Sequence, residues 1–364
     1  MSISDLDARF MSAALRFSRW HMGLTSTNPS VACLIVKDEI IVGRGITAFG
    51  GRPHAEVQAI EEAGEKSKGA TAYVTLEPCS HYGQTPPCAK LLVESGLRRV
   101  VVCVCDPDVR VSGRGIKWLI QKGVVVDIVM EREGERILNP YLVRQVKNRS
   151  HVTLKLAVSK DNMIGIMGCG SVPITGSISI NQVHLLRAQS DAILVGIGTV
   201  ISDDPELTCR LNGLNDRSPI RIILDPNFKL SLDSKIIKTS LLAPIIIVTE
   251  NDDPVLALAF KKKNIDIIYC DCRNLERLLA ILADRGVTSL LVEGGAIVAR
   301  SFINSRLVDS IILYRSRKII GKCGIPSPIE EGYINKNFFC IRRDYFGFDV
   351  CFEYVGNNLC LRES

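Results

Sequence analysis

The sequence has few aromatic residues and no apolar segment of the length that spans a membrane. Phe, Trp and Tyr make up 6% of its 364 residues, so it offers no aromatic-rich platform of the kind on which RNA bases stack. No run approaches the roughly 18 consecutive apolar residues of a transmembrane helix. We therefore expect neither a membrane nor a nucleic acid among its partners.

Neither sign of charge dominates. The chain has 45 Lys and Arg against 39 Asp and Glu, and the resulting net charge of +6 is spread along its length. Such a mild excess suits phosphorylated small molecules as well as nucleic acid, so charge does not decide the partner. Hydrophobic residues at 46% and charged residues at 23% are ordinary globular usage, which excludes general disorder, collagen-like repetition and a coiled coil.

A disulfide framework is also missing, although cysteine itself is abundant. The thirteen cysteines are an odd number and are scattered through strand-like runs such as 101–105, unlike the spacing of small secreted domains. Asp5, Asp7 and Arg9 lie where a signal peptide needs apolar residues. We therefore expect a cytoplasmic protein with reduced cysteines, two as metal ligands and eleven as packing residues.

The length predicts two domains, and the hydrophobic pattern indicates α/β structure in both. The first part begins with an amphipathic helix that carries Leu6, Phe10 and Ala14, and its first two strands are predicted to form a hairpin. In this part we predict strands at 31–37, 40–46, 70–76, 98–106 and 124–130 and further helices at 54–64, 88–96 and 114–122.

The segment 139–151 is polar and basic without apolar periodicity, and we place the domain boundary there, between 1–147 and 148–364. Beyond it the pattern predicts a second α/β domain that ends in a hairpin near 338–356. Its predicted strands lie at 152–159, 191–196, 219–225, 244–250, 265–269, 289–295 and 310–321, and its helices near 178–188, 274–285 and 296–304.

The strongest chemical signal is a set of metal-binding residue types in the first domain. His54 and Glu56 open a predicted helix, and Cys79 and Cys88 flank the start of the next one. Catalytic zinc sites typically take three protein ligands and leave the fourth position open, which fits one imidazole and two thiolates. Glu56 is then free to carry protons, as the corresponding glutamate does in zinc deaminases.

Each of these residues alone has an ordinary structural explanation. A single histidine is more often a helix-terminal residue, a glutamate a solvated carboxylate and a cysteine a buried apolar residue. A closed structural zinc site is a further alternative, for which His81 is the obvious fourth ligand. The joint occurrence of the four residues favours catalytic zinc.

The segment 54–88 resembles the deaminase half of the bifunctional riboflavin-biosynthesis deaminase/reductase family, and the similarity extends along nearly the whole chain. Eight residues intervene between Cys79 and Cys88, where the general zinc-deaminase signature has two, and the longer spacing is specific to that branch. The resemblance implies a cytidine-deaminase-like N-terminal domain and a dihydrofolate-reductase-like C-terminal domain. It implies hydrolytic deamination of a diaminopyrimidinone ribosylamine 5′-phosphate, followed by reduction of the ribosyl group to ribityl with NADPH.

The resemblance also assigns residues of the first domain. It makes the histidine and the two cysteines of the set the ligands of one Zn²⁺, and Glu56 the proton shuttle. Asn28 is then expected to bind the pyrimidine, and His81 to line the same pocket. Two positions depart from the family, because Thr47 replaces a frequent histidine and Gln84 replaces a basic residue expected to contact the substrate phosphate.

In the second domain the segment 187–210 closely resembles the reductase core of the family. Apart from this resemblance, the strand–Gly–Gly–helix junction at 292–296 is by itself only a weak indication of a phosphate-binding site. The resemblance implies substrate contacts for Ser171, Arg187, Leu207, Arg210 and Glu293. It implies NADPH contacts for Ala157, Pro173, Thr199, Asp203, Gly295, Ala296, Ile297, Val298, Ala299, Arg300 and Ser301.

Three residues of this domain depart from the family pattern. Lys160 and Asn162 stand where the family has leucine and glycine, and Pro173 stands where a tryptophan usually packs near the nicotinamide. Proline lacks that stacking surface, so a deaminase with a degenerate reductase half is one alternative. A base-editing RNA-binding deaminase is the alternative from another class. The resemblance also implies a homo-oligomer, a dimer or tetramer, that associates through the second domain.

Overall fold

The structure is a computed structural model that describes residues 4–82, 86–108 and 111–357. The chain folds into two compact units, Met1–Asn148 and Arg149–Ser364. None of the twelve cysteines in the described part of the chain forms a disulfide. No helix among the described residues combines the length and apolarity needed to cross a membrane.

The first unit is built on a five-stranded mixed sheet. The strands follow the order β2-β1-β3-β4-β5, in which β1 runs antiparallel to β2 and β3, and β3, β4 and β5 are parallel to one another. Its strands are β1 Ala32–Lys37, β2 Ile40–Ile46, β3 Thr71–Leu76, β4 Arg99–Val104 and β5 Val125–Ile128. Its α-helices are α1 Asp5–Ser18, α2 Ala55–Ala63, α3 Cys88–Glu94, α4 Arg114–Gln121 and α5 Glu131–Lys147. The predicted hairpin and the first four predicted helices are confirmed.

Helix α5 corrects the sequence analysis at the boundary between the units. Residues 139–147, interpreted as a segment without apolar periodicity, are helical even though Pro140 lies inside the helix. Leu138, Tyr141 and Leu142 are buried, and their spacings of three and four place them on one helix face. Burial of this stripe offsets the lost backbone hydrogen bond at the proline.

The second unit contains a nine-stranded sheet in the order β11-β10-β9-β8-β12-β6-β13-β16-β15 and a small sheet of β7 and β14. The strands from β11 to β13 in this order are parallel, and the last two form an antiparallel hairpin. Its strands are β6 His151–Val158, β7 Met163–Ile166, β8 Ala192–Gly196, β9 Ile220–Leu224, β10 Ile245–Thr249, β11 Asp266–Tyr269, β12 Ser289–Val292, β13 Ser310–Arg315, β14 Gly324–Pro326, β15 Phe338–Phe346 and β16 Asp349–Gly356. Its helices are α6 Ser177–Ala188, α7 Ile197–Asp203, α8 Lys235–Lys238, α9 Pro254–Lys261, α10 Leu275–Asp284, α11 Ala296–Asn304 and α12 Glu331–Asn337.

Both faces of the parallel sheet are covered, as expected when crossover helices lie on both sides. Alternate residues of β8 show this, because Leu194 packs with Leu154 in one apolar cluster while Ile193 and Val195 pack in another. Continuous apolar runs in the sequence therefore correspond to strands buried on both faces.

Several features of the second unit differ from the sequence analysis. The elements α7, α8, α9, α12, β7 and β14 were not predicted, and the strand predicted to reach residue 321 ends at Arg315. Cys169, Cys323 and Cys340 are exposed, so the interpretation of eleven cysteines as packing residues is wrong for these three. The longest of these missed elements, α9, has 8 residues, and segments this short contain too few turns or alternations to show a clear hydrophobic period.

Asp7 on α1 joins the first helix to the sheet. The Arg99 guanidinium on β4 donates to both of its carboxylate oxygens at 2.8 and 3.0 Å, and the Tyr73 hydroxyl donates at 2.8 Å. These hydrogen bonds, with that from Arg99 the largest cause, lower the pKa of Asp7 to about 2 despite partial burial. The ionised carboxylate is therefore a stabilising contact between α1 and β4.

We predict that Asp7→Asn lowers the free energy of unfolding at pH 7 by about 2 kcal/mol. A carboxyl group whose pKa is lower in the folded than in the unfolded chain stabilises the folded state at pH values above its pKa in the unfolded chain. The difference from wild type should shrink progressively as the pH falls from about 4 toward 2, because Asp7 becomes protonated first in the unfolded and then in the folded chain. Urea unfolding at pH 7 and at pH 2.5 measures this. The exposed Asp5→Asn serves as control, and an equal loss at both pH values would contradict the prediction.

Candidate functional site

The start of α2 carries the histidine and glutamate of the predicted metal set. His54 is the residue before the helix and Glu56 lies in its first turn, which confirms the predicted placement. Two glycines of β2 let this helix approach the sheet closely. A Cβ on Gly43 would lie 2.1 Å from the Ala59 carbonyl oxygen, and one on Gly45 would lie 1.9 Å from that of Ala55. Only glycine permits this backbone approach.

The two cysteines meet at the start of α3. Cys88 is the first residue of this helix, and its backbone N–H donates to the Cys79 sulfur at 3.3 Å. The helix N-terminus thus favours the thiolate form of Cys79. Glu77 lies between the end of β3 and Cys79. It is buried and was not predicted from the sequence to have a role.

Glu77 is a positioning residue for the Cys79 segment. Its carboxylate accepts hydrogen bonds from the backbone N–H groups of Gly113 and Gly115 at 2.9 and 3.0 Å, and from Asp106 and Ile116 at 3.2 Å. These bonds hold the end of β3 against the start of α4. An acidic residue between an apolar strand and Pro-Cys is the sequence signal that could have identified it.

His54, Cys79 and Cys88 form a cluster whose ligand atoms all lie within 4.8 Å of one another. The His54 Nδ1 is 3.7 Å from the Cys79 sulfur and 3.4 Å from the Cys88 sulfur. Tetrahedral zinc with usual bond lengths separates nitrogen and sulfur ligands by about 3.6 Å, so the donor set fits this metal. His81 is not in the cluster, and among the described residues the set stops at three ligands.

Glu56 lies beside these three residues without joining them. Its side chain is 4% exposed and is hydrogen-bonded to the Cys88 thiol. Burial, supported by the nearby Cys79 charge, raises the pKa of Glu56 to about 7. The hydrogen bond from the Cys88 thiol is the largest cause that lowers the pKa of Cys79 to about 4. The arrangement provides three ligands and a separate buried carboxyl.

The second unit contains a cavity of about 1180 Å³ at the carboxyl ends of its parallel strands. Its lining includes Ala157 of β6, Gly196 of β8, Asn227 after β9, Glu250 after β10 and Glu293 after β12. Open α/β sheets bind ligands at this edge. The volume exceeds the roughly 300–1,000 Å³ of a usual small-molecule pocket, so the cavity has room for two adjacent ligands.

One end of this cavity holds a buried cluster of charges around Glu293. Arg187 donates to both carboxylate oxygens at 2.7 and 2.9 Å, and the Lys155 ammonium lies 3.8 Å away. Burial by itself raises the pKa of Glu293, but the two cations and the hydrogen bonds from Arg187 outweigh it and lower the pKa to about 2. Burial also lowers the pKa of Lys155. Glu293 is therefore an ionised acceptor beside the cavity.

Two protein families match the two units of this chain. Residues 150–352 match the RibD C-terminal domain, and residues 4–104 match the cytidine and deoxycytidylate deaminase zinc-binding region. The chain belongs to the RibD family of bifunctional deaminase/reductase enzymes. The fold class predicted from the sequence, a cytidine-deaminase-like domain followed by a dihydrofolate-reductase-like domain, is confirmed.

Relatives of the family match along most of the chain. The riboflavin biosynthesis protein RibD of Aquifex aeolicus is 38% identical over 88% of this chain and 89% of its own length. That of Escherichia coli is 35% identical over 96% and 99%. A solved Thermotoga maritima structure, described as a diaminohydroxyphosphoribosylaminopyrimidine deaminase/5-amino-6-(5-phosphoribosylamino)uracil reductase, superposes with a TM-score of 0.85 at 32% identity, covering 96% of this chain and 99% of that one. RibD of Acinetobacter baumannii gives 0.85 at 31%, covering 97% and 99%.

The remaining predicted residues of the deaminase unit have distinct surroundings. The Asn28 amide donates to the Gly51 carbonyl at 3.0 Å, which ties its turn to the loop before His54. His81 has a buried Nδ1 without a hydrogen bond to a described residue. Thr47 accepts a hydrogen bond from the Val31 N–H at 2.9 Å and is 1% exposed. It thus has a structural contact of its own where relatives often carry histidine. Gln84 lies outside the described residues.

Most predicted reductase residues line the cavity, and three do not. Leu207 is buried in the apolar core, Ala299 is fully buried, and Arg300 is exposed away from the cavity. The helical repeat of α11 explains Ala299, because about 100° per residue turns it to the side opposite its lining neighbours. The predicted residues that line the cavity are Ala157, Ser171, Pro173, Arg187, Thr199, Asp203, Arg210, Glu293, Gly295, Ala296, Ile297, Val298 and Ser301.

Two further residues at the charged end of the cavity, Lys155 and His184, were not predicted from the sequence. Both line the cavity. The His184 Nδ1 accepts a hydrogen bond from the Arg210 N–H at 3.3 Å, and burial, together with the charges of Arg187 and Arg210, lowers its pKa. Their signal was a histidine three residues before Arg187 and a lysine within an apolar strand, where a charge needs a partner.

The turn after β6 remains intact despite its departures from the family. Asn162 has a φ of +64°, in the region that favours glycine and that asparagine tolerates best among other residues. Lys160 is exposed, so no core contact depends on a leucine there. Ser159 donates to Asp161 at 2.6 Å and accepts from the Met163 N–H at 2.9 Å.

We predict that the purified chain binds one zinc ion, and that Cys79→Ala or Cys88→Ala lowers zinc affinity more than about 100-fold, because direct ligands matter more than the residues that support them. His81→Ala should retain zinc, since His81 is outside the cluster. Cys103→Ala, which removes another buried thiol, is the matched control. Atomic absorption after dialysis against a weak chelator measures the content, and zinc loss from His81→Ala would indicate a closed four-ligand site instead.

Proposed function

We propose that this chain catalyses two consecutive steps of riboflavin biosynthesis. The first is zinc-dependent hydrolytic deamination of 2,5-diamino-6-(5-phosphoribosylamino)pyrimidin-4-one, and the second is NADPH-dependent reduction of the ribosyl side chain to ribityl. The observation that carries the proposal is the three-ligand cluster with a separate buried carboxyl at Glu56, in a chain that also contains a reductase domain. The Thermotoga maritima relative is named for both activities.

In the deaminase unit His54, Cys79 and Cys88 hold the zinc, which when bound supplies Lewis acidity at its open position. Glu56 accepts a proton from the attacking water and delivers a proton to the departing amino group, so that ammonia leaves. Its burial beside Cys88 places it next to the ligand cluster. Asn28 and His81 are proposed to orient the pyrimidine, and the buried Nδ1 of His81, which has no hydrogen bond to a described residue, supports this role.

In the reductase unit the residues around Glu293 are proposed to hold the sugar. NADPH, when bound, supplies the hydride. Glu293 accepts hydrogen bonds from the substrate, and Arg187, which donates to both of its oxygens, keeps its carboxylate oriented. Lys155 places a cation at the same end. Arg210 is half exposed at the cavity and is the cation proposed to bind the substrate phosphate.

The cavity fits NADPH on two observations. Its lining extends from β6 to β10, which are separated by four strand-to-strand spacings in the sheet. The distance between these two strands is therefore about 19 Å, which suits an extended dinucleotide. Gly295, at the start of α11, has a φ of +59°, and a Cβ there would lie 2.7 Å from the Thr199 hydroxyl. Glycine thus keeps this backbone open to a phosphate. Thr199, Asp203 and the lining residues of α11 are proposed to contact the cofactor.

Two alternatives are less well supported. A degenerate reductase half does not agree with the intact turn at Lys160 and Asn162 or with the paired charges at Glu293. Pro173 still lines the cavity, where its carbonyl accepts a hydrogen bond from Lys318. A base-editing RNA-binding deaminase has no need of a reductase domain, which here spans residues 150–352.

We also propose a cytoplasmic homo-oligomer, a dimer or tetramer. The lack of disulfides among the described cysteines supports a reducing compartment. The edge strand β15 exposes Phe339 and Tyr345, which supports association through the second unit. Sedimentation velocity tests the association.

The direct test supplies zinc-loaded protein with the pathway pyrimidine and NADPH. We expect ammonia release followed by NADPH oxidation. Absence of both reactions would contradict the proposal, whereas deamination without oxidation, also when the deaminated intermediate is supplied, would favour the degenerate reductase.

Two single substitutions should separate the activities. Glu56→Gln keeps the ligands but removes the proton carrier, so we expect ammonia release to fall about 10³-fold while reduction of supplied intermediate persists. Glu293→Gln removes the charge between Arg187 and Lys155, so we expect reduction to fall about 10²-fold while deamination persists. Zinc content and circular dichroism serve as controls. If either substitution abolishes both reactions in folded protein, the assignment of one activity to each unit is wrong.

A further inference from the structure

We propose that Arg273 selects NADPH over NADH by binding the phosphate on the 2′-oxygen of the adenosine ribose, and that Glu250 opposes it. This inference rests on the proposed reductase function. NADPH and NADH differ only in that phosphate, so a residue that distinguishes them has to lie where the adenosine half binds.

The position of the charged cluster fixes the direction of the cofactor. The sugar to be reduced binds at Glu293, after β12, so the nicotinamide lies at that end of the cavity. The adenosine half then extends toward β10, which is three strands away and therefore about 14 Å from β12. The lining there consists of Asn227 after β9, Glu250 after β10, and Cys272 and Arg273 between β11 and α10.

Among the described lysines and arginines that line the cavity, Arg273 is the one whose side chain forms no ion pair. Lys155 and Arg187 are paired with Glu293, and Arg210 lies 3.3 Å from Glu206. The Arg273 side chain is exposed and has no ion pair or hydrogen bond with a described residue, while its backbone N–H donates to Asp271 at 2.8 Å. A guanidinium of this kind binds phosphate oxygens with two parallel hydrogen bonds.

Glu250 has the opposite effect on the same phosphate. One of its oxygens accepts a hydrogen bond from the Cys272 N–H at 3.1 Å, which holds the carboxylate at this end of the cavity. It forms no ion pair with Arg273 among the described residues, so neither charge cancels the other. A carboxylate here accepts a hydrogen bond from a free ribose hydroxyl and repels a phosphate. Cofactor choice therefore depends on the balance of two side chains.

The binding of adenosine nucleotides tests the roles of Arg273 and Glu250 independently of the reduction reaction. Isothermal titration calorimetry would compare 2′,5′-ADP with ADP, which lacks the 2′-phosphate. We expect wild type to prefer 2′,5′-ADP, and Arg273→Ala to weaken 2′,5′-ADP at least about 10-fold with ADP unchanged. Arg273→Lys, which keeps the charge but not the planar fork, should be intermediate. Glu250→Gln should strengthen 2′,5′-ADP binding several-fold.

The matched control is Arg277→Ala, which removes a nearby exposed arginine that lies in α10 and does not line the cavity. It should bind both fragments as wild type does. Equal fragment preferences in wild type and Arg273→Ala would overturn the inference and leave the proposed reductase standing. Wild type that binds neither fragment nor NADPH would refute the reductase proposal, and the inference with it.

Discussion

Neutralisation of the buried Glu293 charge is the constraint on which the reductase cavity depends. An ionised carboxylate in a protein interior is costly unless cations and hydrogen bonds surround it. Arg187 from α6 and Lys155 from β6 provide these contacts. Three elements distant in sequence therefore meet at one point. The same pairing occupies two cations that would otherwise attract phosphate, which is why the anion-binding roles proposed above fall to Arg210 and Arg273.

The buried carboxyl group of the deaminase unit has different surroundings. Glu56 is 4% exposed and the Glu293 side chain is 9% exposed, yet no arginine or lysine of the described chain pairs with Glu56. Burial raises the pKa of Glu56 to about 7, whereas that of Glu293 is lowered to about 2. Identical side chains thus differ because of the charges that the fold places beside them. The close contact of α2 with Gly43 and Gly45 sets the position of Glu56 relative to the ligands.

Much of the fold and the metal cluster could be predicted from the sequence. Apolar runs marked the long strands, and His54, Cys79 and Cys88 have residue types and positions that few structures other than a zinc site require. Prediction failed where the local pattern was misleading. Pro140 and its polar neighbours concealed α5, and Lys155 and His184 carried only a weak local signal because their partners are far away in sequence. The side chain of Leu207 packs into the core, and its contact with the substrate, which the resemblance implies, stays a prediction.

The sequence by itself determined the two-domain α/β organisation and the chemistry of the ligand set, because periodicity and side-chain type are local properties. Only the tertiary structure decided which charges are paired and which are free. Arg187 and Arg273 are the same residue type on the same cavity, but one faces a buried carboxylate and the other forms no ion pair with a described residue. Pairing depends on distances between elements that are separated in the chain, and these distances follow from packing rather than from sequence spacing.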